Sequence, residues 1–169
     1  TYNTHVINEL NIPIIALGTK DLIVASSPDG ILVSDLVSSS RLKDAVDMLD
    51  NTFPMYAEQK WGEYTVIGRQ QNNDVGNTVK YLSLNIGKHI GYHAHKYCDE
   101  IWIITNGEGQ FVYDDTITKV KSGDVLTVRK KIKHALYGES QMSLIEIQIG
   151  DIHNDEEIEE YEWNWSVVK

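Results

Sequence analysis

From Gly87 to Gly107 the chain reads Gly-Lys-His-Ile-Gly-Tyr-His-Ala-His-Lys-Tyr-Cys-Asp-Glu-Ile-Trp-Ile-Ile-Thr-Asn-Gly, and no other stretch constrains the fold as much. His93 and His95 stand two apart. In an extended segment, side chains at i and i+2 leave the same face, so both imidazoles can address one centre. Glu100 opens the apolar run Ile101 to Ile104, which reads as the next strand. A reversal between the two segments returns the carboxylate to the histidines. His134, after the strand-like segment Gly123 to Arg129, is the best placed residue to complete a set that suits one metal ion.

The surrounding sequence supports this. Glu63–Arg69, Thr78–Ile86, Glu100–Thr105, Gln110–Tyr113, Thr116–Lys121, Val125–Arg129, His134–Tyr137 and Ser143–Ile149 are short and β-branched or aromatic, with Gly, Asn or Asp between them. Such spacing without a helical period predicts a mainly β sandwich or small barrel. Asn106-Gly107-Glu108-Gly109 and Asp114-Asp115 supply turns.

The flanking segments differ. In the first third, Pro28-Asp29-Gly30 between two apolar runs predicts a hairpin. Ser38 to Ser40 offer N-caps for a helix carrying Leu42, Ala45, Val46 and Leu49, which Asn51 and Pro54 end. A hairpin and one helix bury little alone, so residues 1–55 are expected to be the end of, or connector from, an upstream domain. The opening Thr1, in place of Met, fits a piece of a longer protein. Residues 56–151 hold the β domain, and residues 152–169 an acidic tail. Seven acids fall between Asp151 and Glu162, which predicts a solvated end, although Trp163 and Trp165 ask for a surface to pack on.

The formal charge of −10 argues against nucleic acid, whose phosphates need clustered Lys and Arg. A single cysteine, Cys98, allows no internal disulfide, and no apolar run is long enough to span a membrane. A cytoplasmic protein of small-molecule metabolism is expected.

Gly87, five residues, His93-Ala-His95, four residues, Glu100, six residues and Gly107 match the first cupin motif at every position. The segment from Gly123 to His134 resembles the second motif, with Arg129 and Lys131 where Pro-x-Gly is usual and Gly138 where Asn is usual. The resemblance implies a double-stranded β-helix, or jelly-roll barrel, here with an N-terminal hairpin-plus-helix extension. It also implies that His93, His95, Glu100 and His134 coordinate a divalent metal, zinc first, with manganese or iron also suited. A narrower resemblance, carried by Leu17–Val24, Trp61–Ile67, Asp99–Trp102 and Leu144–Gly150, is to the C-terminal cupin region of mannose-1-phosphate guanylyltransferases, which is similar to type II mannose-6-phosphate isomerase. Where the isomerase-type pattern has Gln-x-His, an Arg and a basic tail residue, this chain has His93-Ala-His95, Cys98 and Glu160. No glycine-rich nucleotide loop is present, so nucleotidyl transfer is not expected of these residues.

The ligand this implies is a sugar phosphate or nucleotide sugar. Arg129, Lys131 and Lys133 lie just before His134 in an otherwise acidic chain, and they are expected to meet the phosphate. Isomerisation would also need a base. Glu146 and Gln148 share a strand face, with Glu146 the catalytic candidate and Gln148 a binding one, and Tyr81 is expected in the same cavity. The readings to separate are a sugar-phosphate-recognising metal cupin, an active isomerase and a metal-dependent oxygenase. The tryptophans of the tail suggest a homodimer contact.

Overall fold

The computed structural model describes residues 1–48, 53–72, 75–151 and 158–165. The chain divides into two compact units, Thr1–Tyr56 and Ala57–Lys169.

In the first unit β1 (His5–Asn8) pairs in parallel with β2 (Leu22–Ser27), which forms an antiparallel hairpin with β3 (Gly30–Asp35). Ser27 pairs with Gly30, so Pro28 and Asp29 form the predicted turn. A 3-10 turn (Ser38–Arg41) leads into α1 (Leu42–Val46). The serines expected to cap the helix do not. Asp35 accepts from the backbone N–H of Val37 at 2.8 Å and of Ser38 at 2.6 Å, because a carboxylate reaches two adjacent N–H groups at once. These contacts, with Ser38 foremost, hold the Asp35 carboxyl below its usual range. The helix stops at Val46. Leu49 and Asn51, expected near its end, lie outside the described residues.

The second unit is built of strands: β4 (Tyr56–Gln59), β5 (Gly62–Asn72), β6 (Val75–Leu84), β7 (His89–His95), β8 (Cys98–Asn106), β9 (Glu108–Tyr113), β10 (Thr116–Lys121), β11 (Val125–Val128), β12 (His134–Gly138), β13 (Met142–Gly150) and β14 (Ile158–Tyr161). They form a five-stranded sheet in the order β10-β9-β12-β7-β14 and a six-stranded sheet in the order β11-β8-β13-β6-β5-β4. This is the double-stranded β-helix architecture. Turn chemistry fixes the joins. Asp114 and Asp115, at φ 47° and 62°, form the two-residue turn between Tyr113 and Thr116. Gly107 turns at φ 85°, and a Cβ there would run into the carbonyl of Gln141 and the side chains of Ser140 and Met142.

One core lies between the two sheets. Leu82 and Leu84 from β6, Trp102 and Ile104 from β8, and Met142 and Leu144 from β13 are buried with Ile90, Phe111 and Leu136 from the facing sheet. The inward face changes character along the strands. Leu144 pairs with Leu82 and Ile104, Glu146 with Lys80 and Trp102, and Gln148 with Thr78 and Glu100. An apolar plug therefore closes one end of the interior, and polar side chains occupy the other.

The described acids of the tail, Asp151, Glu159, Glu160 and Glu162, are exposed, as expected of a solvated end, but part of its backbone forms a strand. Ile158–Tyr161 adds a strand to the five-stranded sheet, with Glu160 opposite His93. Trp163 and Trp165 pack over Tyr92, Val112 and Ala135 on that sheet's outer face. Trp163 lies 4.9 Å from Tyr92, and Trp165 lies 5.3 Å from Tyr137 and 5.6 Å from His89 (ring centroids). The tryptophans thus contact their own chain, and His89, beside Trp165, opens β7. No helix among the described residues is long and apolar enough to cross a membrane.

Candidate metal centre

Strand β7 carries two of the four expected ligands, and a register shift aims them. His134 pairs with His93, but Leu136 pairs with Ile90, so β7 has an extra residue between these pairs. An extra residue inverts the alternation of a strand. Ile90 consequently joins the core between the sheets, Tyr92 packs outward with the tail, and His93 and His95 turn inward.

The same irregularity orients the imidazole of His93. Its Nδ1 lies 2.7 Å from the carbonyl oxygen of Gly91, and the Nδ1 of His134 lies 3.0 Å from that of Ile132. A carbonyl only accepts, so each Nδ1 carries the proton, and in the neutral ring Nε2 presents a lone pair. Both Nε2 atoms face the centre. The Nε2 atoms of His93 and His95 are 3.2 Å apart, His95 Nε2 is 3.0 Å from Glu100 Oε1, and His134 Nε2 is 2.8 Å from Glu100 Oε2. All four ligand atoms fall within 4.8 Å of one another.

These residues fit a metal ion. Glu100 and His134 are fully buried, and despite their proximity neither Glu100 Oε2 nor His134 Nε2 has a hydrogen-bond partner. Buried polar atoms without partners are costly. Lone pairs of neutral imidazoles and a carboxylate aimed at one another repel, and a cation between them converts the repulsion into coordination. Protonation follows the same logic. Burial, and then the neighbouring His134, push the His93 imidazole down to about 4, so it is neutral at physiological pH.

Behind Glu100 lies a polar chain. Gln148 Nε2 donates to Glu100 Oε1 at 2.9 Å, Lys80 Nζ donates to Gln148 Oε1 at 2.9 Å, and Lys80 Nζ also meets Glu146 Oε2 at 2.9 Å. Glu146 and Gln148 are both buried. Lys80 was not anticipated. The signal lay in its parity, since Lys80 shares a face with Leu82 and Leu84, the residues that fill the core. Tyr81, expected in this cavity, has the opposite parity and is 42% exposed on the outer face.

The basic segment before His134 joins the two sheets at this polar end, and its cations have different surroundings. Arg129 Nη1 pairs with Asp99 Oδ2 at 2.8 Å. Lys133 Nζ lies 4.2 Å above the ring of Tyr161. Lys131 is exposed, with φ 69° and its backbone N–H donated to the carbonyl of His95 at 2.6 Å. Cys98 is buried.

Comparisons with known proteins place the chain in a family. The sequence model of the family described as "Mannose-6-phosphate isomerase C-terminal" matches residues 50–163. Mannose-1-phosphate guanylyltransferase RfbM of Salmonella typhimurium is 24% identical over 151 residues, covering 85% of this chain and 31% of the relative. Mannose-1-phosphate guanylyltransferase of Escherichia coli K12 is 21% identical over 168 residues, covering 94% and 34%. The chain thus spans about a third of the length of these curated relatives. Among solved structures, the capsular polysaccharide assembling protein CapF of Staphylococcus aureus superposes with a TM-score of 0.53 at 16% identity, over 68% of this chain and 33% of its own. An RmlC-like cupin of Shewanella frigidimarina gives 0.49 at 17% identity, over 62% and 90%.

Proposed function

The chain belongs to the mannose-6-phosphate isomerase C-terminal family, and we propose from that premise that it is the metal-binding cupin part of a mannose-1-phosphate guanylyltransferase-like protein of polysaccharide biosynthesis, recognising a sugar phosphate or nucleotide sugar. Residues 1–55 are then the end of, or connector from, a nucleotidyltransferase region. In this reading the protein acts in the cytoplasm and pairs as a homodimer.

One observation carries the reading: four ligand side chains converge at the polar end of the interior, with buried coordinating atoms of Glu100 and His134 lacking hydrogen-bond partners. His93, His95, Glu100 and His134 would hold a divalent ion, and zinc suits three imidazoles and one carboxylate. When bound, the metal supplies Lewis-acid polarisation of a sugar oxygen. Lys131, beside His95, supplies an exposed cation for the phosphate. Arg129 and Lys133 contribute less in this arrangement, being engaged by Asp99 and Tyr161.

A second reading, sugar-phosphate isomerisation, is favoured by the buried Glu146, paired with the half-buried Lys80 and two residues from Gln148. Moving a proton between adjacent carbons needs a base within reach of the sugar. Burial raises the Glu146 carboxyl above its usual range, with Lys80 opposing, which strengthens it as a base. Metal analysis, calorimetric titration with mannose 6-phosphate and GDP-mannose, and an assay for fructose 6-phosphate decide between the readings. Binding without turnover supports recognition, whereas turnover lost in Glu146→Gln supports isomerisation. Iron with oxygen uptake would overturn both.

A further inference from the structure

Strand β14 continues a row of side chains that the metal centre begins. His134 of β12 stands opposite His93 of β7, and His93 stands opposite Glu160 of β14. Paired residues share a face, so Glu160 leaves the sheet on the side of the two imidazoles. The ring beside it has the opposite parity. Tyr161 pairs with Tyr92 and lies 6.2 Å from it (ring centroids), on the outer face where Tyr92 meets the tail. Ile158, opposite His95, shares the orientation of Glu160 and is 53% exposed.

These two side chains border the approach to the centre. Of the four ligands only His93 is not buried, and directly opposite residues on a sheet have Cβ atoms about 4.5–5.5 Å apart. Solvent therefore reaches the centre beside Glu160. The Glu160 carboxylate is exposed and has no hydrogen-bond or ion-pair partner among the described residues. The cations that touch β14 are engaged by its other residues. Lys96 meets Glu159 at 3.5 Å, and Lys133 lies over the ring of Tyr161, whose hydroxyl donates to Glu159 at 2.7 Å. An anion brought to this lip meets a negative charge that no cation offsets, whereas hydroxyl groups meet a strong acceptor.

We propose that Glu160 is a specificity-determining residue of the centre, accepting hydrogen bonds from the hydroxyl groups of a sugar seated there while Ile158 covers part of the ring's C–H face. Its charge also sets the direction of the ligand. Lys131 is tied by its backbone N–H to the carbonyl of His95, two residues and so about 7 Å along β7 from the partner of Glu160. The sugar ring then lies toward Glu160 and the phosphate toward Lys131. A ligand with a neutral, hydroxyl-bearing end fits this arrangement, and one with a negative charge at both ends is disfavoured.

The inference rests on the sugar-phosphate reading above. Calorimetric titration of the whole chain, loaded with zinc, with mannose 6-phosphate and separately with inorganic phosphate tests it. Glu160→Ala removes the acceptor, and Glu160→Gln removes only the charge. Mannose 6-phosphate should bind at least about tenfold more weakly to Glu160→Ala, the loss expected for hydrogen bonds to a charged acceptor. Inorganic phosphate should move the other way and bind up to about threefold more tightly to both variants, because a like charge is gone. Zinc content and circular dichroism should match the wild type, since Glu160 is exposed and lies outside the ligand set. Unchanged mannose 6-phosphate affinity in Glu160→Ala overturns the proposal and leaves the sugar-phosphate reading standing. Equal losses for both ligands, or a loss of zinc, overturn it as well, by making Glu160 a support of the metal. A wild type that binds neither ligand overturns the proposal and the reading together.

Discussion

Gln148 donates its side-chain N–H to Glu100 Oε1 at 2.9 Å, and so it holds the single carboxylate of the candidate metal centre from behind. Partners of this kind fix the orientation of a ligand and are worth about ten- to a hundredfold in metal affinity. Gln148→Leu is therefore expected to weaken metal binding by about that factor while leaving the fold intact. Competition with a chromophoric chelator measures it, and an unchanged affinity would make Gln148 a core residue only.

Lys80 tests the other end of the same chain. Its ammonium is largely buried and meets both Glu146 and Gln148 at 2.9 Å. Lys80→Met leaves Glu146 buried without its cation, at an expected cost of about 3–5 kcal/mol in urea denaturation. The double variant Lys80→Met/Glu146→Leu should recover most of that loss.

The pair also predicts a pH dependence. Burial disfavours the charge on Lys80, but Glu146 outweighs it and raises the group above its ordinary 10.5. The folded state then binds this proton more tightly than the unfolded state. The stabilisation is complete below pH 10.5 and is lost as pH rises through the higher folded-state value. The stability difference between the wild type and Lys80→Met should shrink over that alkaline range. A constant difference would show that the ion pair is not its source.

Lys131 occupies a left-handed conformation at φ 69°, where a Cβ costs about 1 kcal/mol or more. Lys131→Gly should relieve that strain at the cost of a freer unfolded chain, for a net gain in unfolding stability of at most about 1 kcal/mol, and weaken sugar-phosphate binding. A stability gain with unchanged affinity would remove Lys131 from the phosphate site while confirming its strain.

Trp163 covers the outer face of the five-stranded sheet and is half-buried. Trp163→Ala should cost about 2–3 kcal/mol, below the range for a fully buried tryptophan. Thermal unfolding followed by circular dichroism checks this, and a loss under about 0.5 kcal/mol would make the tail an ornament rather than part of the fold.

The ligand spacing was legible because strand alternation is rigid. His93, His95 and Glu100 followed from period two and one reversal, and Gly107 from a turn no other residue could make. The inward parity of β6 and β13 was harder, because both faces mix polar and apolar side chains. The buried leucines at 82, 84 and 144 decide it, and with them the positions of Lys80 and Tyr81. The extra residue in β7 left no mark in composition, since it depends on pairing with a strand some forty residues away. Strand β14 was hidden for a related reason. Its side chains are exposed and two of the four are acidic, and it pairs with β7 through the backbone, so no pattern of side chains announces it.

The account depends most on the metal centre, and elemental analysis tests it most directly. The wild-type chain, purified without chelator, should carry about one divalent ion, and His93→Ala, which alters the most exposed ligand, should carry far less while keeping its circular dichroism spectrum. A wild-type chain that neither retains a metal nor binds zinc more tightly than about 1 mM would contradict the account.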